Sequence, residues 1–243
     1  MIRVYWEGNA DGQVELTLSK EESRHLVSVR RARQGDGVEV LNGRGAKAFG
    51  KVADANPKAV QVNELSWEQI DLPKPALVLF TAMTKASTFE FIIQKATELG
   101  AVEIVPLVTD HVEGARDDDR IQRKQERWNQ ILIEAVKQSG NPYKPILHLP
   151  EPMEGNGRLD SIDAGVVLAL SDNPIQLADL QSRLKGEAVS RLGVFLGPEG
   201  DFSKREYEWL KTQQFHFMSL GPHVLRMETA AVAGLAVLQQ LAL

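Results

Sequence analysis

Residues 192–206 read LGVFLGPEGDFSKRE and contain the three parts of a strand-turn-helix unit. The run Leu192–Gly197 is short and apolar, which is typical of a strand buried on both faces. The next residues are rich in glycine and proline, and Ser203 with Glu206 predicts a capped helix. Residues 215–230, FHFMSLGPHVLRMETA, repeat this order. Two strands are therefore predicted to lead through Leu-Gly-Pro turns into helices.

The same alternation extends over the chain from residue 73 onward. Amphipathic segments separate apolar runs at Ala76–Ala82, Val102–Pro106, Gly165–Leu170, Leu192–Gly197 and Phe215–Leu220. Ser87 with Glu90 predicts the cap of the first helix, and Gly100 its end. A long helix should end near residues 139–142. The last helix, 230–241, is apolar nearly all round, so we expect it to be buried in the sheet packing or against another subunit. This pattern predicts an α/β fold with a mainly parallel sheet.

The first 72 residues show a different pattern. Short alternating segments at 14–18, 38–41, 48–52 and 60–62 are separated by turn residues, which predicts a small β-barrel or sandwich. Ser19 with Glu22 predicts one helix from Glu21 to Val29. Neither pattern can continue through residues 71–75, DLPKP, because proline has no N–H and restricts the residue before it. We therefore expect domains at 1–72 and 73–243.

The composition excludes several classes of function. The 243 residues include no cysteine, which removes disulfides, thiolate zinc sites, iron–sulfur clusters and thiol nucleophiles. No apolar run approaches the ~18 residues that a membrane span needs, and no export signal is present, so a cytoplasmic protein is predicted. The five histidines show no metal-binding spacing, and we expect no metal. The glycine-rich nucleotide motifs and the G-x-S-x-G elbow of hydrolases are also absent.

Positive charge is concentrated in one stretch although the whole chain has a net charge of −5. Residues 24–51 contain seven basic and two acidic residues, a net charge of +5. These cations either follow the phosphates of a nucleic acid or form an ordinary solvated surface. The candidates for RNA binding are Arg24, Arg30, Arg31, Arg33, Arg44 and Lys47, with Lys85 as a weaker one in the second domain.

The two Leu-Gly-Pro turns are the best candidates for a ligand site. In open α/β sheets, ligands bind beyond the carboxyl ends of the strands, where the next helix presents free N–H groups. Glycine lets the backbone approach a ligand and proline stiffens the turn, so these turns would form rigid cradles with few side chains. The alternative is that both are ordinary tight turns.

Several stretches resemble the RsmE family, the 16S rRNA uridine N3-methyltransferases of the SPOUT class. The two turns, Leu196–Gly200 and Leu220–Ala230, are similar to the C-terminal signature of SPOUT methyltransferases. Residues 89–100 and 134–140 are similar to two helical stretches of the family. In the first domain, His25-Leu26 with Arg30, and Gly35-Asp36 before Val38, resemble its PUA-like RNA-binding barrel. The resemblance covers nearly the whole chain, with its stretches in the right order.

The resemblance implies a C-terminal trefoil knot, S-adenosylmethionine bound in the knot loops, a homodimer, and 16S rRNA or the small ribosomal subunit as partner. Chain-topology rules alone would not predict a knot. By position, the cofactor would lie against the loop following Leu170 and against a set of small and apolar residues. These are Leu196, Gly197, Gly200, Leu220, Gly221, Val224 and Leu225.

The inventory of residues agrees with methylation at N3 of uracil. Methylation at C5 of a pyrimidine generally needs a thiolate, and this chain has none. Methylation at N3 needs removal of the imide proton and stabilisation of the resulting charge. We expect Arg226 to stabilise that charge or to fix a phosphate, and Glu228 or a water that it holds to assist proton loss. The alternative for Glu228 is a carboxylate favouring a helix N-terminus, with Thr229 as the cap.

Three positions depart from the pattern of the family. Asp201 stands where a second glycine is usual; aspartate tolerates left-handed backbone angles, but its charge beside a cofactor is not explained by the sequence. His223 and Asn141 each replace a usual arginine. Two alternatives stay open: another SPOUT methylation, at a ribose 2′-O or at guanine N1, and an RNA-binding assembly factor without catalysis.

Overall fold

The computed structural model describes residues 1–111, 118–170 and 173–242. Contacts within the chain divide it into two units, Met1–Leu72 with Ile133–Lys144, and Pro73–Leu132 with Pro145–Leu243. Segment 133–144, which we predicted as part of the second domain, therefore falls with the first unit. None of the described helices is both long and apolar enough to cross a membrane.

The first unit is built on a five-stranded sheet in the order β1-β3-β4-β5-β2. Strand β1 pairs in parallel with β3, and the other pairs are antiparallel. Within the described residues no pair closes the sheet from β1 to β2, so the predicted barrel is an open sheet in its hydrogen bonding. Strand β1 was not predicted. The strands are β1 (Ile2–Tyr5), β2 (Leu16–Thr17), β3 (Gly37–Leu41), β4 (Ala46–Asp54) and β5 (Gln61–Gln69).

The predicted helix of the first unit is present but divided. Helix α1 spans Lys20–Arg24, and the chain continues as a π-helical turn, His25–Val29. The Ser19 hydroxyl accepts a hydrogen bond from the Glu22 N–H at 3.2 Å, as an N-cap should. The Glu22 carboxylate does not return to Ser19, because it accepts the backbone N–H of Tyr5 instead.

The second unit is an α/β domain around a parallel sheet in the order β12-β10-β11-β6-β7-β8, with β9 also paired to β7. Every pair in this sheet is parallel. Helix α3 (Asp118–Ser139) begins in this unit and ends in the first. The other elements are β6 (Ala76–Ala82), α2 (Ala86–Glu98), β7 (Ala101–Val108), β8 (Ile146–Leu147), β9 (Glu151–Pro152), β10 (Ala164–Leu168), α4 (Leu177–Gly186), β11 (Arg191–Leu196), α5 (Lys204–Thr212), β12 (His216–Met218) and α6 (Met227–Gln239).

Both faces of the parallel sheet are buried, as the unalternated apolar runs predict. Leu77 and Leu79 of β6 belong to a core with α2 and α6, while Val78 and Phe80 belong to a second core with α5 on the other face. The Phe80 ring stacks on Phe195 of β11, with ring centroids 4.6 Å apart. A strand buried on both sides can accept an apolar residue at every position, which explains the runs.

The helix starts test the predicted caps. The capping box of Ser203 and Glu206 is present at α5, so that prediction is confirmed. The predicted cap of α2 is wrong: the helix begins after Lys85, and the Glu90 carboxylate accepts two hydrogen bonds from Arg127, at 2.6 and 2.7 Å. The predicted end of α2 is confirmed by Gly100, which has a φ of +81°.

The C-terminal helix α6 begins three residues before the predicted start. One face of α6 is buried, and the half-buried positions from Ala230 to Val237 are all apolar. The buried residues are Met227, Ala231, Gly234, Leu235 and Leu238.

In the first unit, charged groups join the last turn of α3 to helix α1 and to strand β1. The Lys137 ammonium lies 2.6 Å from the Glu22 carboxylate, and the side chain of each is less than a tenth exposed. Arg3 of β1 donates to the carbonyl of Gln138 at 2.7 Å and pairs with Glu39 at 2.6 Å. A buried charge without its partner is costly, so this contact should fix the end of the helix.

Candidate functional site

Three loops that carry predicted ligand residues leave the carboxyl ends of adjacent strands. They are the β10–α4 loop (169–176), the β11–α5 loop (197–203) and the β12–α6 loop (219–226). Because β12, β10 and β11 are neighbours in a parallel sheet, these loops emerge side by side at one edge. This is the position at which open α/β sheets bind ligands. Residues 171 and 172, part of the predicted loop following Leu170, lie outside the described residues.

The β11–α5 loop is a tight turn that depends on Gly197. The Asp201 N–H donates to the Pro198 carbonyl at 2.9 Å, which leaves Glu199 and Gly200 exposed at the tip. A Cβ on Gly197 would lie 3.2 Å from the Phe202 ring and 3.3 Å from Asp201 Oδ1. Leu196, immediately before, is buried in the sheet. The predicted need for small residues at this turn thus has a packing reason as well.

Asp201 has the left-handed backbone expected at this position, with a φ of +64°. Its Oδ1 accepts the N–H of Phe202 at 2.8 Å and the hydroxyl of Tyr207 at 2.7 Å. Burial, together with the Asp201 carboxylate, raises the pKa of the Tyr207 hydroxyl above its usual value, so the phenol stays a donor at neutral pH. The Asp201 carboxylate therefore accepts hydrogen bonds from the loop and from the start of α5.

The end of the β11–α5 loop is attached to the end of β7 through Glu206. This carboxylate is buried and accepts two backbone N–H groups, from Ser203 at 2.8 Å and from Asp110 at 2.9 Å. Asp110 in turn accepts the Ser203 hydroxyl and the guanidinium of Arg205, each at 2.6 Å. Arg205 and Ser203 hold the pKa of the Asp110 carboxyl below its usual value.

The tip of the same loop is attached to the end of β6. The Thr84 hydroxyl donates to the Glu199 carboxylate. Lys85, the weaker predicted RNA contact, is exposed at the N-cap of α2 directly after Thr84. The β11–α5 loop is therefore held from β6, β7 and α5.

The β12–α6 loop is shaped by Ser219 and Gly221. The Ser219 hydroxyl donates to the Gly221 carbonyl at 2.8 Å and accepts the Gly221 N–H at 3.3 Å. Gly221 has a φ of +136°, which side chains rarely permit. A Cβ at Gly221 or at Gly200 would meet no described atom within 4 Å. Both glycines thus face space that a ligand can fill.

A groove of about 560 Å³ lies between the β10–α4 loop, the β12–α6 loop and helix α5. This volume is within the range of small-molecule sites. Two of the predicted ligand residues, Leu170 and Gly221, line the groove. The other predicted ligand residues are not among the described residues that line it. The other lining residues are Tyr207, Lys211, Phe217, Ser219 and Pro222.

The remaining predicted ligand residues lie on the β12–α6 loop. Val224 is 84% exposed, whereas Leu220 and Leu225 are half-buried. The structure therefore places Val224 at the surface of the same edge, where a ligand or another molecule can reach it.

The predicted catalytic residues lie at the start of α6. Arg226 is the N-cap residue, is exposed, and makes no side-chain capping bond. Glu228 is half-buried in the first turn, where a carboxylate favours the helix dipole. Thr229 is not the cap, so that part of the alternative for Glu228 is wrong. Among the described residues, the side chains of Arg226 and Glu228 make no hydrogen bond or ion pair, which leaves both side chains available to a substrate.

The predicted RNA-binding residues of the first unit lie in two places. One group extends from the last residue of α1 to the segment just after the π-helical turn, and all its members are exposed. Arg44 is exposed in the turn between β3 and β4, and Lys47 is half-buried and 3.3 Å from Glu68. The first group consists of Arg24, Arg30, Arg31 and Arg33.

Sequence reasoning missed the residues that hold the loops. Tyr207, Thr84 and Asp110 belong to no motif, and Glu206 was recognised only as part of a helix cap. The one signal was the charged residue at position 201 in a glycine-rich turn, since a charge there needs a partner.

Comparison with known proteins agrees with this geometry. A family model described as an RNA methyltransferase domain matches residues 71–239, and one described as an RNA methyltransferase PUA domain matches residues 18–65. Ribosomal RNA small subunit methyltransferase E from Synechocystis is 32% identical, over 94% of this chain and 74% of its own. The chain belongs to this methyltransferase E family. The enzyme of the same name from Aquifex aeolicus is 28% identical, over 98% of this chain and 99% of its own.

A solved structure shares both units of this methyltransferase E family member. A Legionella pneumophila protein, whose structure is described as that of a methyltransferase with the bound cofactor SAM, superposes with a TM-score of 0.82. It is 29% identical, and the match covers 98% of this chain and 97% of that one. The family member is therefore an RNA methyltransferase, and its predicted α/β fold with a PUA-like domain is confirmed.

Proposed function

We propose that this family member transfers a methyl group from S-adenosylmethionine to N3 of a uridine in 16S rRNA of the small ribosomal subunit. The observation that carries the proposal is the meeting of three short loops at the carboxyl edge of β10, β11 and β12, beside a groove of about 560 Å³. The bound cofactor of the Legionella protein supports the choice of methyl donor.

The residues of the loops fit such a donor. Gly200 and Gly221 leave open space where a side chain would project, so the backbone can approach a bulky ligand. Leu170 and Val224 offer exposed apolar surface for a flat ring system. When bound, the donor supplies an electrophilic methyl group. The residues proposed to hold it are Leu170, Leu196, Gly197, Gly200, Leu220, Gly221, Val224 and Leu225.

The path of the chain around β12 supports a trefoil knot at this site. On one edge of β12, the Ala169 N–H donates to the Met218 carbonyl at 3.2 Å. On its other edge, the Ile175 N–H donates to the Phe217 carbonyl at 2.8 Å. Strand β12 thus lies between β10 and the segment that follows β10, an arrangement that arises when a chain passes through its own loop. We therefore propose that the chain forms a trefoil knot around β12.

Arg226 and Glu228 would provide the chemistry on the uracil. Methylation at N3 breaks the N3–H bond and forms an N–CH₃ bond, while the S–CH₃ bond of the donor would break and release a neutral thioether. The ring therefore needs a proton acceptor and a cation for its negative oxygens. Arg226, without an ion pair among the described residues, can place its guanidinium on such an oxygen. Glu228, or a water that it holds, would take the proton.

The first unit would bind the RNA, and the protein would act as a homodimer. The residues proposed to contact phosphates are Arg24, Arg30, Arg31, Arg33, Arg44 and Lys47, with Lys85 beside the methyl-transfer site. The apolar half-buried face of α6 supports a homodimer. A substrate in the ribosome implies the cytoplasm, and nothing in the proposed chemistry needs a metal.

Methyl transfer in vitro tests this function. Purified protein, S-adenosylmethionine and either 16S rRNA or small subunits from a strain lacking the gene should yield 3-methyluridine on mass spectrometry of the digested RNA. A 2′-O-methyl nucleoside or 1-methylguanosine would instead support another SPOUT reaction. If the RNA stays unmodified and calorimetry detects no binding of S-adenosylmethionine, the protein would instead be an RNA-binding assembly factor without catalysis.

Replacement of Arg226 tests the catalytic assignment. Arg226→Ala should abolish methyl transfer while donor binding, measured by calorimetry, is largely kept. Lys185→Ala serves as the control. It removes an exposed cation from the last turn of α4, away from the loops at the carboxyl ends of the strands, and should keep both methyl transfer and donor binding. Turnover by Arg226→Ala equal to that of the control would remove Arg226 from the mechanism.

A further inference from the structure

Asp201 holds a backbone conformation that normally favours glycine. Its φ of +64° lies in the left-handed region, where aspartate is tolerated better than most residues but is still strained relative to glycine. The surrounding contacts must therefore favour this conformation over the alternatives. The contacts of the Asp201 carboxylate show how.

The carboxylate of Asp201 closes the β11–α5 loop from within. One oxygen, Oδ1, accepts both the N–H of Phe202 and the hydroxyl of Tyr207. The same oxygen lies close to Gly197, at the other end of the turn. The bond from Tyr207 thus ties the Asp201 end of the turn to a rigid element, since Tyr207 lies in the first turn of α5.

Tyr207 also lines the groove beside the loops. Its ring packs edge-on against Phe202, with centroids 5.8 Å apart, and lies 6.1 Å from the ring of Phe217. Leu170 and Gly221, from the other two loops, line the same groove. One side chain therefore joins the wall of the groove to the turn whose tip is Glu199 and Gly200.

We propose that Tyr207 and Asp201 form a positioning pair that holds the β11–α5 loop in its ligand-binding shape before the methyl donor arrives. The inference rests on the proposed function, because it takes S-adenosylmethionine as the ligand of these loops. A loop already ordered in the free protein loses less entropy on binding, so the pair raises affinity without touching the transferred methyl group.

Removal of the hydroxyl should therefore weaken binding and leave chemistry unchanged. Loss of one hydrogen bond to a charged acceptor corresponds to about a tenfold rise in Kd. We expect Tyr207→Phe to raise the Kd and KM for S-adenosylmethionine by about this factor, with kcat at saturating donor within about twofold of the parent. A general packing defect would lower kcat and the unfolding midpoint together.

A double-mutant cycle with Asp201→Gly separates this pair from other effects of Tyr207. Glycine accepts the left-handed backbone without strain but offers no oxygen to the phenol. In that background, Tyr207→Phe should change the Kd by less than about twofold. Asp201→Asn keeps an acceptor oxygen and should retain near-parental affinity.

Calorimetry with S-adenosylmethionine on the full-length variants decides the proposal. Tyr143→Phe is the matched control, since its hydroxyl also donates one hydrogen bond, 2.6 Å to the Ile70 carbonyl, but in the first unit. An unchanged Kd in Tyr207→Phe, or a full tenfold loss that persists beside Asp201→Gly, overturns the positioning pair alone. Failure of the parent protein to bind the donor would overturn the proposed function along with it.

Discussion

The buried carboxylate of Glu206 gives the sharpest prediction about the stability of the β11–α5 loop. Its side chain accepts the N–H of Ser203 with one oxygen and the N–H of Asp110 with the other, at 2.8 and 2.9 Å. The residue is only 2% exposed, so water cannot replace either bond. Glu206→Gln keeps the shape of the side chain but replaces one acceptor with an NH₂ donor.

The expected cost follows from that exchange. One backbone N–H loses a charged acceptor and faces another donor in a buried position, and the other bond becomes neutral. Such losses amount to about 3 kcal/mol in the free energy of unfolding. For a chain of this size the unfolding midpoint falls by ~2–4 °C per kcal/mol, so we expect a decrease of about 6–12 °C.

The measurement is thermal and urea unfolding of Glu206→Gln beside Glu208→Gln. Glu208 lies on the same helix, its side chain is 73% exposed, and its only ion pair among the described residues is with Lys211 at 2.8 Å, so its replacement should cost less than about 0.5 kcal/mol. If the two variants unfold together, or if Glu206→Gln loses less than about 1 kcal/mol, the carboxylate does not hold the loop in the way we describe.

Three further perturbations test other parts of the molecule. Lys137→Met leaves the buried carboxylate of Glu22 without its ion pair and should destabilise the first unit by about 3–5 kcal/mol in urea unfolding. The double variant Lys137→Met with Glu22→Gln has no unpaired charge and should recover much of this loss. Burial by itself would raise the pKa of Glu103, but hydrogen bonds from Arg191 and His148 outweigh it and hold that pKa below its usual value. A carboxyl with a lowered folded-state pKa contributes stability above its unfolded pKa and loses it as the pH falls, so Arg191→Ala should begin acid unfolding at a higher pH than the parent; superimposable acid-unfolding curves would refute this. Gly221→Ala forces a side chain into a φ of +136° and should cost about 1–3 kcal/mol and weaken donor binding; an unchanged Kd would mean that the β12–α6 loop does not contact the donor.

The parallel sheet was predictable because burial on both faces leaves a direct mark on the sequence. Each strand of the second unit except the two-residue β8 and β9 coincides with an apolar run, and Ala76–Ala82 matches β6 at both ends. The first unit was harder, since β1 has only four residues and pairs with β3, which is distant in the chain. Short strands that depend on distant partners carry little local signal.

Helix boundaries show where local signals fail. Ser203 with Glu206 was read correctly, because Glu206 does return to the Ser203 N–H. Ser87 with Glu90 has the same spacing, yet Glu90 binds Arg127, a residue whose proximity no local pattern reveals. A capping motif in a sequence thus competes with every cation that the fold brings near its carboxylate.

The candidate site was only partly predictable for a related reason. The glycines and apolar residues of the loops are recognisable because they form motifs, whereas Tyr207 and Thr84 act on the loops from neighbouring elements. A cradle made of backbone and small residues has few side chains with which to order itself, and glycine makes the unbound loop more variable. The order must then come from residues on neighbouring elements that bond to the loop, as Tyr207 and Thr84 do. Substitutions at Glu206, Tyr207 and Thr84 should therefore act mainly on donor affinity and on stability. Substitutions at Arg226 and Glu228 should act mainly on turnover. A variant of the first group that lowered only kcat would contradict this separation.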